Sequence, residues 1–265
     1  MNKLPILVPL ILSSLLVNFY VYISYVSQGP ILTDFNQNQV LEKTFNDHIK
    51  NNNFNFPNLT STALPFLAIK ANYYYRFGDL DKALNILNIK RNDNPHWYIK
   101  EFLKASIFND LGIIDSSLYY SRQAFKGLPN NIAHFELYSI NLARSNNIDD
   151  LNRAFNLIDI NNPILMQIYL GILLNISEDF DELTRNNVKE IRKVHYNNDE
   201  IFGMSSQVLY GKDNIALSAQ FSSDADNYYL EKDYDNSLVN YQKAINLFPG
   251  DPSYFENAAL IAYHA

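Results

Sequence analysis

Pro95, Pro129 and Pro163 recur at intervals of 34 residues, and so do the pairs Gly78 and Gly112, and Ala83 and Ser117. Asn146 stands where the next glycine of the series would fall. After glycine, asparagine is among the residues that best tolerate a left-handed backbone. This period constrains the fold more than any other feature of the chain. A unit of that length has an apolar stripe that it cannot bury alone, so neighbouring units must stack. With only 8 glycines, a turn-dense β architecture is disfavoured, and a hydrophobic content of 47% excludes a disordered chain.

Within the period, the run from Ala71 through Tyr73, Tyr74, Phe77 and Gly78 to Ala83 and Leu84 sets out the residue types of one unit. Ala105, Phe108, Gly112, Ser117, Ala124 and Pro129 repeat it. Ser139, Leu142, Asn146, Phe155 and Pro163 keep the register through 132–163. The pattern returns near the end with Ala225, Tyr228, Tyr229, Tyr234, Ser237, Tyr241, Ala244 and Pro249, with Lys232 in place of the turn glycine. A further first helix begins at Pro252, followed by Tyr254, Phe255 and Ala258-Ala259. These residues resemble the tetratricopeptide (TPR) repeat over about 64–163 and 218–263, and by that resemblance the run from Ala71 to Leu84 folds as a helix, a turn and the start of a second helix. Small residues sit where paired helices cross, aromatics fill the adjoining gaps, and Gly or Asn takes the left-handed turn. Proline marks the stop of the second helix. The resemblance implies an all-α fold, a right-handed TPR-like α-solenoid of antiparallel helix pairs. From Pro163 to Pro249 the chain runs 86 residues, which is 18 more than two perfect repeats, so two degenerate repeats and one extra helix are expected. Helices are expected near 164–176, 178–195 and 199–210, with Asn197-Asn198 as a break. Leu260, Ile261 and Tyr263 are expected to be partly exposed unless further repeats or a partner cover them.

The N-terminus has a different character. After Met1-Asn2-Lys3, 23 residues from Leu4 to Val26 carry no charge. As a helix they reach roughly 34 Å, enough to cross a hydrocarbon core of about 30 Å. Tyr20, Tyr22 and Tyr25 crowd the distal end, as an interfacial aromatic belt would. Lys3 in front, with no further Lys or Arg before Lys43, places the N-terminus in the cytoplasm and the rest outside it. A cleaved signal peptide is the alternative, giving a secreted protein. The anchor is preferred because the apolar run is long and Ser24-Tyr25-Val26-Ser27-Gln28 lacks an A-x-A cleavage pattern. Gly29-Pro30 is expected to break the chain, and Val40, Leu41, Phe45 and Ile49 predict an amphipathic helix over 34–50, ended by Asn51–Asn53 and Pro57. The resulting organisation is a membrane anchor or signal segment at 1–27 and a tether with a short amphipathic helix at 28–62. TPR-like repeats follow at 63–163, degenerate helical repeats at 164–217, and a repeat plus an incomplete final repeat at 218–265.

The same residues offer little chemistry. No cysteine is present, which excludes disulfides, thiolate catalysis and Cys-ligated metals. The histidines His48, His96, His134, His195 and His264 lack metal-ligand spacing, so neither a metal nor any cofactor is expected. There is no nucleophile elbow, P-loop or dinucleotide fingerprint, and no enzyme activity is expected. Asp149-Asp150 and Asp179–Glu182 fall at expected helix N-termini, where acids favour the helix dipole. With a net charge of −7 and no basic stripe, nucleic acid is not an expected partner. The asparagine-rich composition suggests an AT-rich coding sequence and puts Asn at helix positions where better helix formers would be expected.

What remains is the face that, by the resemblance, lines the concave groove. Its slots hold Asn72, Tyr75 and Arg76, then Phe102, Ser106, Asn109 and Asp110, then Glu136, Ile140 and Arg144. Amides bond peptide backbones and Arg pairs with carboxylates, so a protein or peptide partner is expected. The subtype of the family that clamps C-terminal carboxylates is disfavoured, since Ala68 stands where its first Lys would be. Two functions are carried forward. One is a TPR scaffold anchored in a bacterial inner membrane, with its solenoid in the periplasm. The other is an accessory module of cell-envelope polysaccharide assembly, because Ser121–Asn131 looks similar to repeats appended to O-antigen ligase-like membrane proteins. Glycan binding would gain weight if Tyr75, Trp97 and Tyr98 formed one exposed platform.

Overall fold

A computed structural model describes residues 4–37, 39–50, 64–89, 97–176 and 179–265. Pro95, His96, the 51–62 part of the expected tether and residue 63 lie outside the described residues. Among the described residues the fold is helical, with no strand, and it divides into two compact units, Met1–Leu128 and Pro129–Ala265.

The first unit opens with α1 (Leu4–Asn36), followed by a short α2 (Glu42–Thr44) that continues as a π-helical turn over Phe45–Lys50. Two αα-hairpins follow: α3 (Phe66–Arg76) with α4 (Leu80–Leu87), and α5 (Ile99–Asp110) with α6 (Ile114–Gly127). The second unit contains the hairpin α7 (Ile132–Arg144) and α8 (Ile148–Phe155), then α9 (Pro163–Ile176), α10 (Glu182–Val194) and α11 (Asp199–Tyr210). It ends with α12 (Lys212–Leu230), α13 (Tyr234–Leu247) and α14 (Pro252–His264). Helix α9 packs on α7 and α11, α10 on α8 and α11, and α13 on α12 and α14.

One turn recurs at four hairpins. Gly78, Gly112, Asn146 and Lys232 have φ of 81°, 71°, 50° and 60°. At each, two backbone bonds close the first helix: Gly78 N to Tyr75 O with Asp79 N to Tyr74 O, and Gly112 N to Asn109 O with Ile113 N to Phe108 O. Asn146 N to Ala143 O pairs with Asn147 N to Leu142 O, and Lys232 N to Tyr229 O pairs with Asp233 N to Tyr228 O. This is the Schellman arrangement, which satisfies carbonyls that the helix end leaves free. Lys232 makes the same turn as the glycines despite its side chain.

The helix crossings repeat as well. Ser117 Oγ donates to Ala105 O at 2.9 Å between α5 and α6, and Ser237 Oγ donates to Ala225 O at 2.7 Å between α12 and α13. All four residues are fully buried, as are Ala71 and Ser139, which flank Ala105 at the 34-residue interval. Small side chains at these positions let the backbones approach closely enough for the hydroxyl to reach a carbonyl of the partner helix. Asparagine and aspartate start many of the helices. Asn131, Asn147 and Asn198 accept from His134 N, Asp150 N and Ile201 N, and Asp79, Asp181, Asp233 and Asp251 cap α4, α10, α13 and α14. Each such cap is worth about 1 kcal/mol, so part of the asparagine enrichment stabilises helix starts.

Several expectations are corrected. Gly29-Pro30 does not break the chain: α1 continues to Asn36 because its last turns are docked, with Ile31 fully buried and Asp34 bonded to Tyr73. No single amphipathic helix covers 34–50, since residues 39–41 separate α1 from α2. The described part of the expected tether, 28–50, is packed: Phe45 and Ile49 join Ile31 in the core around α3, and Phe45 stacks on Phe77 at 4.5 Å. Pro163 does not close α8, which ends at Phe155; it is the first residue of α9, where its missing N–H costs nothing. Pro129 and Pro249 do follow the ends of α6 and α13 closely. The boundary placed at 217/218 falls inside α12, which starts at Lys212 because Gly211, at φ 82°, turns the chain sharply out of α11. Its polar first turn, Lys212-Asp213-Asn214, carries no apolar signal. By contrast, the described residues between Pro163 and Pro249 form five helices, α9 to α13, the number that two degenerate repeats and one extra helix require. In α14, Leu260 and Tyr263 are exposed, whereas Ile261 is buried beneath the helix.

Candidate ligand-binding face

Helix α3 buries most of its circumference: Phe66 to Ile69, Ala71, Tyr73 and Tyr74 all face the core of the first unit. Asn72 and Tyr75 remain half-buried and Arg76 is exposed. On α5, Leu103, Ala105 and Ile107 turn inward, Phe102, Ser106 and Asn109 are half-buried, and Asp110 is exposed. The two helices pack together, and Tyr75 Oη donates to Asp110 Oδ2 at 2.6 Å. Two of the sequence-derived site residues, 35 positions apart, are thus joined across the α3–α5 face.

The other site residues divide by role. Phe102 also packs against the hydrophobic core, and Ser106 Oγ donates back to Phe102 O at 3.0 Å. Neither is committed wholly to a surface. Glu136, Ile140 and Arg144 lie on α7 in the second unit, at i, i+4 and i+8, as a stripe about 12 Å long. Glu136 and Arg144 are exposed and Ile140 is half-buried. The aromatic platform does not form. Tyr75 is tied to the C-terminal end of α5, whereas Trp97 and Tyr98 precede its first residue, and α5 is 12 residues or about 18 Å long. The Tyr98 ring instead lies against Gly127 at the end of α6, leaving no room there for a Cβ.

Burial, and then the bond to Asp110, push the Tyr75 phenol from its ordinary 10.0 up to about 12. Burial raises Tyr169 to about 12 as well. A folded-state value above the unfolded one gives stability that is present below the ordinary value and is lost as pH rises towards the shifted one. Both tyrosines are therefore expected to ionise after the bulk of the tyrosines, near pH 12, with the helical signal falling over the same interval. Tyrosinate absorbance followed together with circular dichroism checks this. A single early ionisation step for every tyrosine would contradict it, and Tyr75→Phe should reduce the late step.

Two features of the second unit were not foreseen from the sequence. The first is a buried polar network. Tyr169 Oη donates to Asn152 Oδ1 at 2.7 Å, Asn152 Nδ2 donates to Thr184 Oγ1 at 2.8 Å, and Asn187 Nδ2 donates to Asn152 Oδ1 at 3.2 Å. The second is a cavity of about 630 Å³ lined by Leu174, Phe180, Arg185, Tyr210, Lys212 and Leu247. Arg185 is engaged in its wall, giving Nε to Phe180 O and Nη1 to Leu209 O, both at 3.0 Å. The only sequence signal for this cavity is the 18-residue departure from the repeat period, which marks where regular packing stops. Among the described residues no group of three or more His, Asp or Glu could hold a metal ion. His195 is turned to a backbone partner, Ile160 O, at 2.7 Å from Nε2.

At the other end of the chain, α1 is long and apolar enough to cross a membrane, with a mean hydropathy of 1.8 over its apolar 18-residue stretch, and a signal sequence meets the same criterion. Compared with known proteins, the chain matches no family model, and no curated protein matches it.

Proposed function

We propose that this chain is a TPR-type α-solenoid scaffold, anchored in a bacterial inner membrane by α1 with its repeats in the periplasm. It binds a protein or peptide along the face of its first helices that lines the concave groove, and catalyses nothing itself. The recurrent hairpin carries this reading: one left-handed turn at Gly78, Gly112, Asn146 and Lys232, and one seryl bond at the α5–α6 and α12–α13 crossings. Repeated hairpins present repeated faces, and an extended ligand is the natural occupant of such a series. Asn72, Arg76, Asn109 and the Tyr75–Asp110 pair offer amide, guanidinium, carboxylate and aromatic surface there. These groups suit a peptide backbone and its charged side chains.

The test is photo-crosslinking in native membranes from a reactive residue at position 109, on α5, with a control at the exposed Tyr119 on α6. A discrete protein adduct from position 109 alone is expected, and it would name the partner. Adducts of equal yield from both positions, or a heterogeneous ladder removed by glycan cleavage, would sink the protein-scaffold reading.

A further inference from the structure

The apolar helix and the first folded unit share one element of secondary structure. The charge-free run ends at Val26, yet α1 continues through Gly29 and Pro30 to Asn36. Gln28 is 8% exposed, Ile31 is fully buried and Asp34 is 3% exposed. From Val26 to Ile31 the helix rises only about 7.5 Å. Asp34 Oδ2 accepts from Tyr73 Oη at 2.8 Å and from Leu41 N at 3.3 Å, which ties α1 to α3 and to the chain that follows it. Burial, reinforced by that bond, keeps the Tyr73 phenol protonated well above the usual tyrosine range. Pro30 withholds an N–H from the carbonyl of Val26, one turn before it. That carbonyl lies at the end of the apolar run, where headgroups and water replace the lost donor at little cost. Thr33 Oγ1 donates to Gly29 O at 3.0 Å on the far side of the proline.

We propose that α1 is a rigid strut rather than the start of a tether. It stays uncleaved and holds the first unit against the lipid surface in one orientation. This rests on the reading of α1 as an anchor and adds how the anchor is coupled. Two physical reasons carry it. Leader-processing proteases cut extended backbone, whereas here the helix passes unbroken through the region of cleavage and is clamped by buried side chains a few residues later. Undocking would also expose Ile31 and strip a buried carboxylate and a buried phenol of their shared bond, so the docked state is favoured.

The chain has no cysteine, so two introduced cysteines at the exposed Tyr22 and Arg76 can be spin-labelled cleanly in the full chain, in lipid nanodiscs. Pulsed electron resonance is expected to give one narrow distance distribution. A Gly-Gly-Ser-Gly-Gly insertion after Val26 leaves every docking contact in place, and it should spread the distribution by about 12 Å, the reach of a coil of that length. Asp34→Ala should broaden it too, by weakening the dock. A broad distribution in the parent chain, or none of the broadening on insertion, overturns the strut while leaving an anchor intact. A mature chain that begins between Ser24 and Ile31, read by mass spectrometry of the membrane fraction, overturns strut and anchor together. Neither outcome bears on crosslinking at position 109, so failure of the scaffold reading is separately visible.

Discussion

Asn152→Ala is expected to destabilise the second unit by about 3 kcal/mol, because it leaves more than one buried group without its partner. Asn152 is 1% exposed, and its amide serves α8, α9 and α10 at once: the oxygen accepts from Tyr169 and Asn187, and the nitrogen donates to Thr184. Cutting the side chain back removes the hub, and its partners Tyr169 and Thr184 are themselves fully buried. An effect of that size lowers the melting temperature by roughly 10 °C for a unit of this length. Tyr169→Phe takes away the bond to Asn152 and a longer one from Asn187 at 3.3 Å, but leaves the Asn152 amide its other two partners, and should cost about 1 kcal/mol. The double variant should cost less than the sum, since both changes act on one bond. Urea titration of the four proteins measures this. Strict additivity, or a loss within about 0.5 kcal/mol for Asn152→Ala, would show that the amide is not the hub.

Ala225→Leu is expected to be comparably damaging, at about 3 kcal/mol, because added methylenes must enter a crossing that has no space for them. Ala225 and Ser237 are both fully buried, and the Ser237 hydroxyl reaches the Ala225 carbonyl at 2.7 Å. Separating α12 from α13 to admit the larger side chain also breaks that bond. Ala219→Leu provides the control. Ala219 lies on the same helix but is exposed, so its replacement should stay within about 0.5 kcal/mol of the parent. If the repeat register is correct, Ala105→Leu at the α5–α6 crossing behaves like Ala225→Leu, since Ser117 makes the matching bond there. Thermal melts that separate the crossing variants from the control support the register. Equal melts for all of them would refute it.

Features that depend on near neighbours were legible. Gly78, Gly112 and Asn146 were read as left-handed turns from residue type and spacing alone, and Lys232 was placed in the same slot. Helices α9, α10 and α11 lie close to where apolar spacing and the Asn197-Asn198 break put them, because capping and periodicity act within a few residues. The same local rules misled at Gly29-Pro30, which in isolation ends a helix. There the decision lay with Tyr73, 39 residues away from Asp34 in sequence, and with the burial of Ile31. Pro163 was misread for a related reason: proline is equally at home just after one helix or at the start of the next, and local sequence does not choose between them.

The candidate face was legible as a set of residue types, but not as a set of contacts. Tyr75 and Asp110 were both singled out, yet nothing in their positions indicated that one would donate to the other. Phe102 looked like a groove residue because it falls in one of the slots that the resemblance assigns to the concave face, and the structure gives it a share of the core as well. The Asn152 network carried no sequence signal, since asparagines are scattered throughout the chain and, among the described residues, most meet solvent or cap a helix.

What the sequence by itself determined is therefore the alphabet of the fold: helices, the residues at which paired helices turn, the positions kept small for close crossing, and an uncharged run long enough to span a bilayer. These follow from backbone sterics, side-chain size and apolar periodicity, which act over a few residues and repeat wherever the pattern repeats. Only the tertiary structure decided where α1 stops, which polar side chains are buried together, and that the segment after the apolar run is docked rather than free. Those outcomes depend on contact energies between residues tens of positions apart, and such energies exist only once the helices have packed.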